Sequence, residues 1–259
     1  MSTSTETRQD GGPGVTGVRS WLPPQPGPIT RGTVILLPGR GEHAGVYERF
    51  GRRLAFDAYA VHALDLAPDE DAGDLRDRIA ELTASAVAPV VVAGSDTGAL
   101  HALALAADGK ADVDAVLLAG IPGASAAIGD EDPDWEGELA LRTACPTHRG
   151  KLADDETFVR GSLFDPVPDR LAAYLELDAS AYAEVGNILI IHGAADVLSP
   201  PATARSLVAR LPHAELVLVA GAPHDALNDA THRSVAAAVV QWLERLRAGA
   251  PYSTIIEHG

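Results

Sequence analysis

The chain has 259 residues, 46 % of them hydrophobic and 22 % charged, a composition that is typical of a globular protein and excludes disorder throughout. Its 36 acidic and 20 basic residues give a formal net charge of −16, which repels nucleic-acid backbones and anionic lipid surfaces. The single cysteine, Cys145, excludes an intramolecular disulfide.

The first 17 residues are mostly Ser, Thr, Gly and charged side chains, without the apolar core of a secretory signal. We expect a flexible tail at residues 1–17 and a cytoplasmic protein. The long apolar stretch 84–107 is not expected to span a membrane, because Asp96 and His101 lie in its middle and an ionised side chain at bilayer depth is costly. A strand, a turn and a helix are predicted there instead.

Strands and helices alternate from residue 33 onward. Strands are predicted at 33–37, 59–66, 89–93, 113–121, 188–191 and 215–219, and helices at 44–58, 75–86, 99–107, 201–210 and 229–247. Each connection between parallel strands must cross back over the sheet. The pattern therefore predicts an α/β fold with a mostly parallel central sheet and helices on both faces.

Residues 123–186 interrupt this alternation, with no good strand and two acidic clusters. Short helices are predicted at 169–177 and 179–183. An insertion between two strands commonly covers a site, so we expect a lid. A disordered acidic loop is the alternative, but apolar residues such as Phe158 and Leu163 argue against it. The expected organisation is a core of residues 18–122 and 187–248, a lid at 123–186, and a C-terminal tail at 249–259.

The segment that follows the third predicted strand carries the strongest signal for chemistry. Residues 90–100 read VVVAGSDTGAL, a buried strand followed by Gly-x-x-x-Gly and a helix. Glycines two residues on either side of a central residue allow the sharp strand-to-helix turn of a nucleophile elbow. With Gly94 and Gly98 as those glycines, the central residue is Asp96. A register slipped by one would present Ser95, but it places the β-branched Thr97 where close helix packing is needed.

Two later loops complete a set of catalytic residue types. Asp196 lies in HGAADVLSP, just after one predicted strand, and His224 lies in GAPHD, just after the last strand. Loops beyond the carboxyl ends of parallel strands meet at one edge of a sheet. The sequence therefore predicts that Asp96, Asp196 and His224 lie together as nucleophile, acid and base.

These motifs resemble the α/β-hydrolase fold over residues 18–247, and GRGEHAGVYERFGRRLA at 39–55 is similar to the monoglyceride-lipase and lysophospholipase-like branch. The resemblance implies an oxyanion hole formed by the backbone N–H groups of Arg40 and Thr97. It also implies that the insertion is a lid. One departure is that Pro38 stands where many members of that branch have His. A larger one is that the branch has Ser at the elbow, whereas Asp96 resembles the epoxide hydrolases and haloalkane dehalogenases of the same fold.

An aspartate nucleophile suits attack on an sp³ carbon better than attack on an ester. The adduct with an ester would expel aspartate rather than alkoxide, because their conjugate acids differ by about 12 pKa units, or about 16 kcal/mol. Dehalogenases of this fold have Trp after the nucleophile, and here that residue is Thr97. Epoxide opening is therefore favoured, with Tyr174 and Tyr182 of the insertion as candidate substrate-binding acids. Packing as amphipathic surface is the alternative for both tyrosines.

No metal-ligand spacing or phosphate-binding loop is present in the sequence, so we expect no metal and no cofactor. The expected partner is a small-molecule substrate, with no nucleic acid and no membrane, and a homo-oligomer stays open. Two other functions stay open as well. One is an esterase or lysophospholipase-like enzyme that uses Ser95 or Asp96, and the other is a ligand-binding pseudoenzyme.

Overall fold

The computed structural model describes residues 8–9, 17–67, 70–109, 112–123, 133–182, 186–211 and 213–249. Its strands are β1 (Arg8–Gln9), β2 (Val18–Trp21), β3 (Gly32–Leu37), β4 (Tyr59–Leu64), β5 (Val90–Ser95), β6 (Ala115–Ala119), β7 (Asn187–Gly193) and β8 (Ala214–Val219). They form one sheet in the order β1-β2-β4-β3-β5-β6-β7-β8. Strands β3 to β8 pair in parallel and β1 and β2 pair antiparallel, which confirms the mostly parallel sheet.

The helices are α1 (Glu48–Phe56), α2 (Ala72–Thr83), α3 (Thr97–Ala107), α4 (Trp135–Arg142), α5 (Pro146–Ala153), α6 (Asp169–Ala172), α7 (Pro201–Val208) and α8 (His232–Arg247). Single 3₁₀ turns lie at Ala44–Tyr47, Ser162–Phe164, Ala173–Leu175 and Ala179–Tyr182. The predicted helix at 44–58 is thus a 3₁₀ turn that continues as α1. The short helix predicted at 169–177 is α6 continued by the 3₁₀ turn Ala173–Leu175, and the one predicted at 179–183 is a single 3₁₀ turn.

Apolar side chains alternate along each central strand and bury both faces of the sheet. In β3, Val34 and Leu36 join the cluster that packs on α1 and α8, whereas Ile35 and Leu37 join the cluster that packs on α2, α3 and α7. Successive side chains of a strand point to opposite faces, so a continuous apolar run is the pattern of a strand covered on both sides. This two-faced burial fixes the sheet whose loops position the site.

The insertion packs against both faces of the sheet rather than standing apart from it. Leu139, Leu152 and Phe158 belong to the cluster on the α1 and α8 face, and Leu171 and Leu175 belong to the cluster on the α3 face. The described part of the insertion is therefore built into the core. Residues 124–132 and 183–185 lie outside the described residues.

The ends of the chain differ in part from the expectation of loose tails. Arg8 and Gln9 pair with β2, and β2 itself, at 18–21, was not among the predicted strands. The other residues of the predicted N-terminal tail up to residue 16, and residues 250–259 of the predicted C-terminal tail, lie outside the described residues.

Candidate active site

Asp96 occupies the sharp turn between β5 and α3. Its backbone has φ of 49° and ψ of −122°, a conformation that non-glycine residues rarely adopt and that is found mainly at functional sites. Its N–H donates to the Ala119 carbonyl at 3.0 Å, and its own carbonyl accepts from Ala99 N–H at 3.0 Å. Neighbouring backbone thus anchors the strained residue on both sides.

The two glycines of the elbow are needed for close approach of the backbone. A Cβ at Gly94 would lie 2.0 Å from the carbonyl oxygen of Gly98. A Cβ at Gly98 would lie 2.2 Å from the carbonyl oxygen of Leu37. Any side chain at either position would therefore push α3 away from β5 and β3, which explains the Gly-x-x-x-Gly spacing in the sequence.

The three residues predicted to meet are in contact. Nε2 of His224 lies 3.3 Å from Oδ1 of Asp96, and Nδ1 of His224 lies 2.7 Å from Oδ2 of Asp196. The remaining oxygen of Asp196 accepts the backbone N–H groups of Leu198 and Ser199 at 2.9 and 3.0 Å. Asp196 is therefore held by its own loop, and it orients the imidazole towards Asp96.

Burial and charge act in opposite directions on this set. Burial alone lowers the pKa of His224, but the Asp196 and Asp96 carboxylates outweigh it and raise that pKa to about 10. Burial raises the pKa of Asp96, but Arg40 and His224 hold it well below its usual range. At neutral pH the imidazole is therefore a cation between two carboxylates.

Arg40 makes a two-pronged ion pair with Asp96. Oδ2 of Asp96 accepts the backbone N–H of Arg40 at 2.9 Å and its Nε at 2.8 Å, and Oδ1 accepts its Nη2 at 2.8 Å. With His224 on Oδ1, the carboxylate has four donors, which equals its usual capacity. The backbone N–H of Arg40 that was predicted to form the oxyanion hole donates to Asp96 here, and the oxyanion role stays a prediction. The sequence analysis missed the guanidinium.

Thr97 and Ser95 flank Asp96 in different environments. Thr97 begins α3, so its N–H is one of the four that have no acceptor within the helix, and its oxyanion role stays a prediction. The hydroxyl of Ser95 lies close enough to the Tyr47 phenol to oppose the increase in the pKa of that phenol, which itself donates to Glu42. Ser95 is therefore turned towards Tyr47, and Asp96 is the residue next to His224.

A buried polar cluster lies beside these residues, and the sequence analysis did not identify it. Arg142 is fully buried, and it donates to Oε1 of Glu138 at 3.0 Å and to the carbonyl of Arg40 at 2.9 Å. Its Nη1 lies 3.9 Å from Oδ1 of Asp225. Burial and the nearby Glu42 carboxylate raise the pKa of Asp225 to about 8, so this acid keeps its proton at neutral pH.

The two tyrosines predicted to bind substrate lie away from Asp96. The hydroxyl of Tyr174 donates to Oδ1 of Asp108 at 3.3 Å, and Asp108 follows the last residue of α3, whereas Asp96 precedes the first. Tyr182 is fully buried, and its hydroxyl donates to the carbonyl of Tyr174. Eleven helical residues at about 1.5 Å each separate the two ends of α3. Both tyrosines pack on the α3 face of the core, but only the partly exposed Tyr174 matches the amphipathic packing considered above, because Tyr182 is fully buried.

Within the described residues, no group of three or more His, Cys, Asp or Glu side chains is arranged to hold a metal ion. Among the helices that the structure describes, none combines the length and apolar character needed to cross a bilayer.

Several solved structures share this fold. A monoacylglycerol lipase from Paleococcus ferrophilus has a TM-score of 0.68 at 19 % identity, over 87 % of this chain and 97 % of that chain. A soluble variant of monoglyceride lipase from Saccharomyces cerevisiae, in complex with a substrate analogue, has a TM-score of 0.74 at 16 % identity, over 98 % and 97 % of the two chains. A 2-hydroxy-6-oxo-6-phenylhexa-2,4-dienoate hydrolase from Rhodococcus has a TM-score of 0.68 at 19 % identity, over 93 % and 98 %.

No curated protein matches the chain. Residues 34–240 match the Alpha/beta hydrolase family, which covers most of the sequence. This match confirms the fold and the hydrolase class expected from the motifs. The chain therefore belongs to the alpha/beta hydrolase family.

Proposed function

We propose that the protein is a cofactor-free hydrolase that opens an epoxide on a small amphiphilic molecule, with Asp96 as the nucleophile. The observation that carries the proposal is the contact of Asp96 with His224, whose other nitrogen is held by Asp196. A carboxylate at this turn is already ionised, so it needs no base to become a nucleophile. The insertion at 123–186 is proposed to cover the substrate.

In the first step, Oδ1 of Asp96 attacks a ring carbon and the carbon–oxygen bond of the epoxide breaks. The ring oxygen leaves with the electron pair and takes a proton from Nε2 of His224. The imidazole, whose pKa is about 10 in the free protein, carries that proton at neutral pH. Asp96 loses its negative charge as the ester forms. Because that charge helps to raise the pKa of His224, the pKa falls, and His224 releases its proton to the alkoxide at this stage.

In the second step, neutral His224 takes a proton from water, and the hydroxide attacks the carbonyl carbon of the Asp96 ester. The N–H groups of Arg40 and Thr97 stabilise the oxyanion that forms. Collapse of the intermediate releases the diol, with the proton of the added hydroxyl going to the departing alkoxide. Asp96 returns as a carboxylate and His224 as a cation, so one water is consumed for each epoxide.

Isotope labelling tests the covalent step. A single turnover in ¹⁸O-water, with a panel of epoxides, is expected to place ¹⁸O in the Asp96 carboxylate, read by mass spectrometry of the peptide, and to leave the first diol unlabelled. Asp96→Asn should abolish turnover, whereas the exposed control Asp77→Asn should retain it. Label in the diol with none in Asp96 would contradict the nucleophile and favour direct attack by water.

Ester hydrolysis is the second candidate, because two of the structures that share the fold are named as monoacylglycerol lipases. In that case Asp96 and His224 would direct water at the ester carbonyl, or Ser95 would act as the nucleophile. The two possibilities differ in short p-nitrophenyl ester assays. Loss of turnover in Ser95→Ala, with turnover retained in Asp96→Asn, would favour a serine esterase, and loss only in Asp96→Asn would favour water attack.

A further inference from the structure

The carboxylate that the proposed reaction needs is fully engaged in the free protein. Oδ1 of Asp96 is the oxygen that faces His224, and it also accepts Nη2 of Arg40 at 2.8 Å. To form a bond with carbon, Oδ1 must present a lone pair that the guanidinium now occupies. The guanidinium must therefore move before Asp96 can react.

Moving Arg40 away from Asp96 is unfavourable unless another anion replaces Asp96 as its partner. The Asp96 side chain is 2 % exposed and the Arg40 side chain 14 % exposed, so both charges are largely removed from water. Separating a buried pair leaves uncompensated charge, which costs far more than the loss of a surface pair. A neutral substrate has no negative charge that could replace Asp96 as the partner of the guanidinium.

We propose that Arg40 binds a carboxylate of the substrate, which takes the place of Asp96 on the guanidinium and frees Asp96 for attack. The substrate class is then an epoxide that carries a carboxylate near the ring. This inference rests on the proposed function and narrows its substrate. Arginine suits the role because its planar fork matches the two oxygens of a carboxylate.

The position of Arg40 supports the exchange. Arg40 is the more exposed member of the pair, and its Nη1 donates to the carbonyl of Asp165 in the insertion at 2.5 Å. The guanidinium therefore bridges Asp96 and the insertion, and it is the member of the pair that is more accessible from solvent. The backbone N–H of Arg40 does not depend on the side chain, so it can stay on Oδ2 of Asp96 when the guanidinium turns away.

The anion must be present before the reaction begins. The oxygen that leaves an epoxide gains its charge only in the transition state, so it cannot compensate for opening the ion pair in the ground state. The charges around the site also allow a carboxylate. Arg142 and His224 are cations beside Asp96, and Asp225 is protonated at neutral pH, whereas Asp196, Glu42 and Glu138 remain the acidic neighbours.

Calorimetric titration with butyrate and with its neutral isostere butanamide tests the proposal without turnover. The wild-type protein is expected to bind butyrate at least tenfold more tightly than butanamide. Arg40→Gln should lose this preference, and Arg40→Lys should weaken it, because lysine keeps the charge without the fork. The control Arg53→Gln, at a half-buried arginine that pairs with Asp57 in α1, should retain it. Equal affinity for the two compounds, or binding of neither, would overturn the inference.

Asp96→Asn is expected to increase the affinity for butyrate, whereas a variant that fails to fold would lose affinity. Asparagine removes the carboxylate that competes for Arg40, so butyrate should bind this variant at least tenfold more tightly than wild type. The double variant with Arg40→Gln should lose the gain. Unchanged affinity in Asp96→Asn would show that butyrate does not replace Asp96 and would overturn the inference.

The labelling experiment separates this inference from the proposed function. Butyrate binding through Arg40, with no ¹⁸O in Asp96 from any epoxide, would refute the nucleophile and keep the carboxylate site. Label in Asp96 from neutral epoxides, with no preference for butyrate, would keep the nucleophile and refute the carboxylate site.

Discussion

The described insertion, residues 133–182, contains two segments with different relations to the candidate active site: a first part at residues 133–164 and a second part at residues 169–182. In the first part, the carbonyls of Leu141 and Arg142 accept the backbone N–H groups of His224 and Asp225 at 3.2 and 2.8 Å. In the second part, Leu171 and Leu175 pack on α3, and Tyr174 contacts the residue that follows that helix. The first part supports the loop of His224, the proposed base, and the second part completes the core.

The difference shows that an insertion can supply part of a site without lying over it as a separate lid. A buried arginine and glutamate in α4 connect the Arg40 loop to the His224 loop. Near α3, the second part is connected to its surroundings by apolar contacts and by the hydroxyl of Tyr174, which donates to Asp108. Substitutions should therefore have unequal effects in the two parts.

The largest effect is expected from Arg142→Met. The change leaves Glu138 buried without its partner, and breaking a buried pair in this way costs about 3–5 kcal/mol. Urea unfolding followed by circular dichroism measures the loss. The matched change in the second part, Arg170→Met at an exposed position, should stay within about 0.5 kcal/mol. Equal losses in the two variants would refute the contrast between the two parts.

A second prediction concerns the pH dependence caused by Asp225. Its pKa is about 8 in the folded protein and about 3.9 in an unfolded chain, so the folded state retains the proton, and this contribution to stability is lost as pH rises from about 4 to about 8. Asp225→Asn cannot ionise and avoids the loss. Its stability relative to wild type should rise by at least about 1.4 kcal/mol, the equivalent of one pKa unit, between pH 4 and pH 8.5.

Urea unfolding of Asp225→Asn and wild type at pH 4, 6 and 8.5 gives that difference. His224 loses its stabilising charge only between about pH 6.5 and 10, so the change in the difference between pH 4 and pH 6 belongs to Asp225. A difference that does not change with pH would show that Asp225 is ionised in the folded protein.

A smaller effect is expected from Tyr182→Phe in the second part. The hydroxyl of Tyr182 donates to the carbonyl of Tyr174 in a part-buried hydrogen bond, and loss of one such bond costs about 1 kcal/mol. Thermal unfolding measures it. Turnover of any identified substrate should remain at the wild-type level per folded molecule, because Tyr182 does not contact Asp96, Asp196 or His224. A tenfold fall in turnover would restore this tyrosine as a substrate-binding acid.

The smallest effect is expected from Tyr174→Phe. Its hydroxyl makes a 3.3 Å contact with Asp108 near the surface, and such a contact contributes less than about 0.5 kcal/mol. Neither the melting temperature nor the ¹⁸O labelling of Asp96 should change. A loss of labelling would place Tyr174 in the reaction and contradict the structural contrast.

Backbone patterns in the sequence were sufficient to predict the elbow and its two partners. The spacing of Gly94 and Gly98 follows from a steric requirement that leaves no space for a Cβ, so Asp96 could be assigned to the turn. Asp196 and His224 could be predicted to meet because parallel strands end at one edge of the sheet. Each of these inferences depends on main-chain geometry, which local sequence determines well.

The guanidinium of Arg40 and the charged cluster around Arg142 depend on side chains that reach across the fold, and the motif did not predict them. Signals for α4 and α5 were nevertheless present. Asp134 caps α4, Pro146 begins α5, and Glu138 and Arg142 are spaced four residues apart. Tyr174 and Tyr182 were predicted to bind substrate because epoxide hydrolases have lid tyrosines. In the structure, tertiary packing places this part of the insertion on α3 instead.

The hydrogen bonds from His224 and Asp225 to the end of α4 couple the chemistry to a helix of only eight residues. A short helix opens locally at a lower free energy than a central sheet, because fewer interactions must be broken. Opening of α4 would remove the acceptors that hold the imidazole loop while strands β3 to β8 stay paired. On heating, inactivation should therefore precede the melting of the sheet, and amide exchange in α4 should report the onset of inactivation.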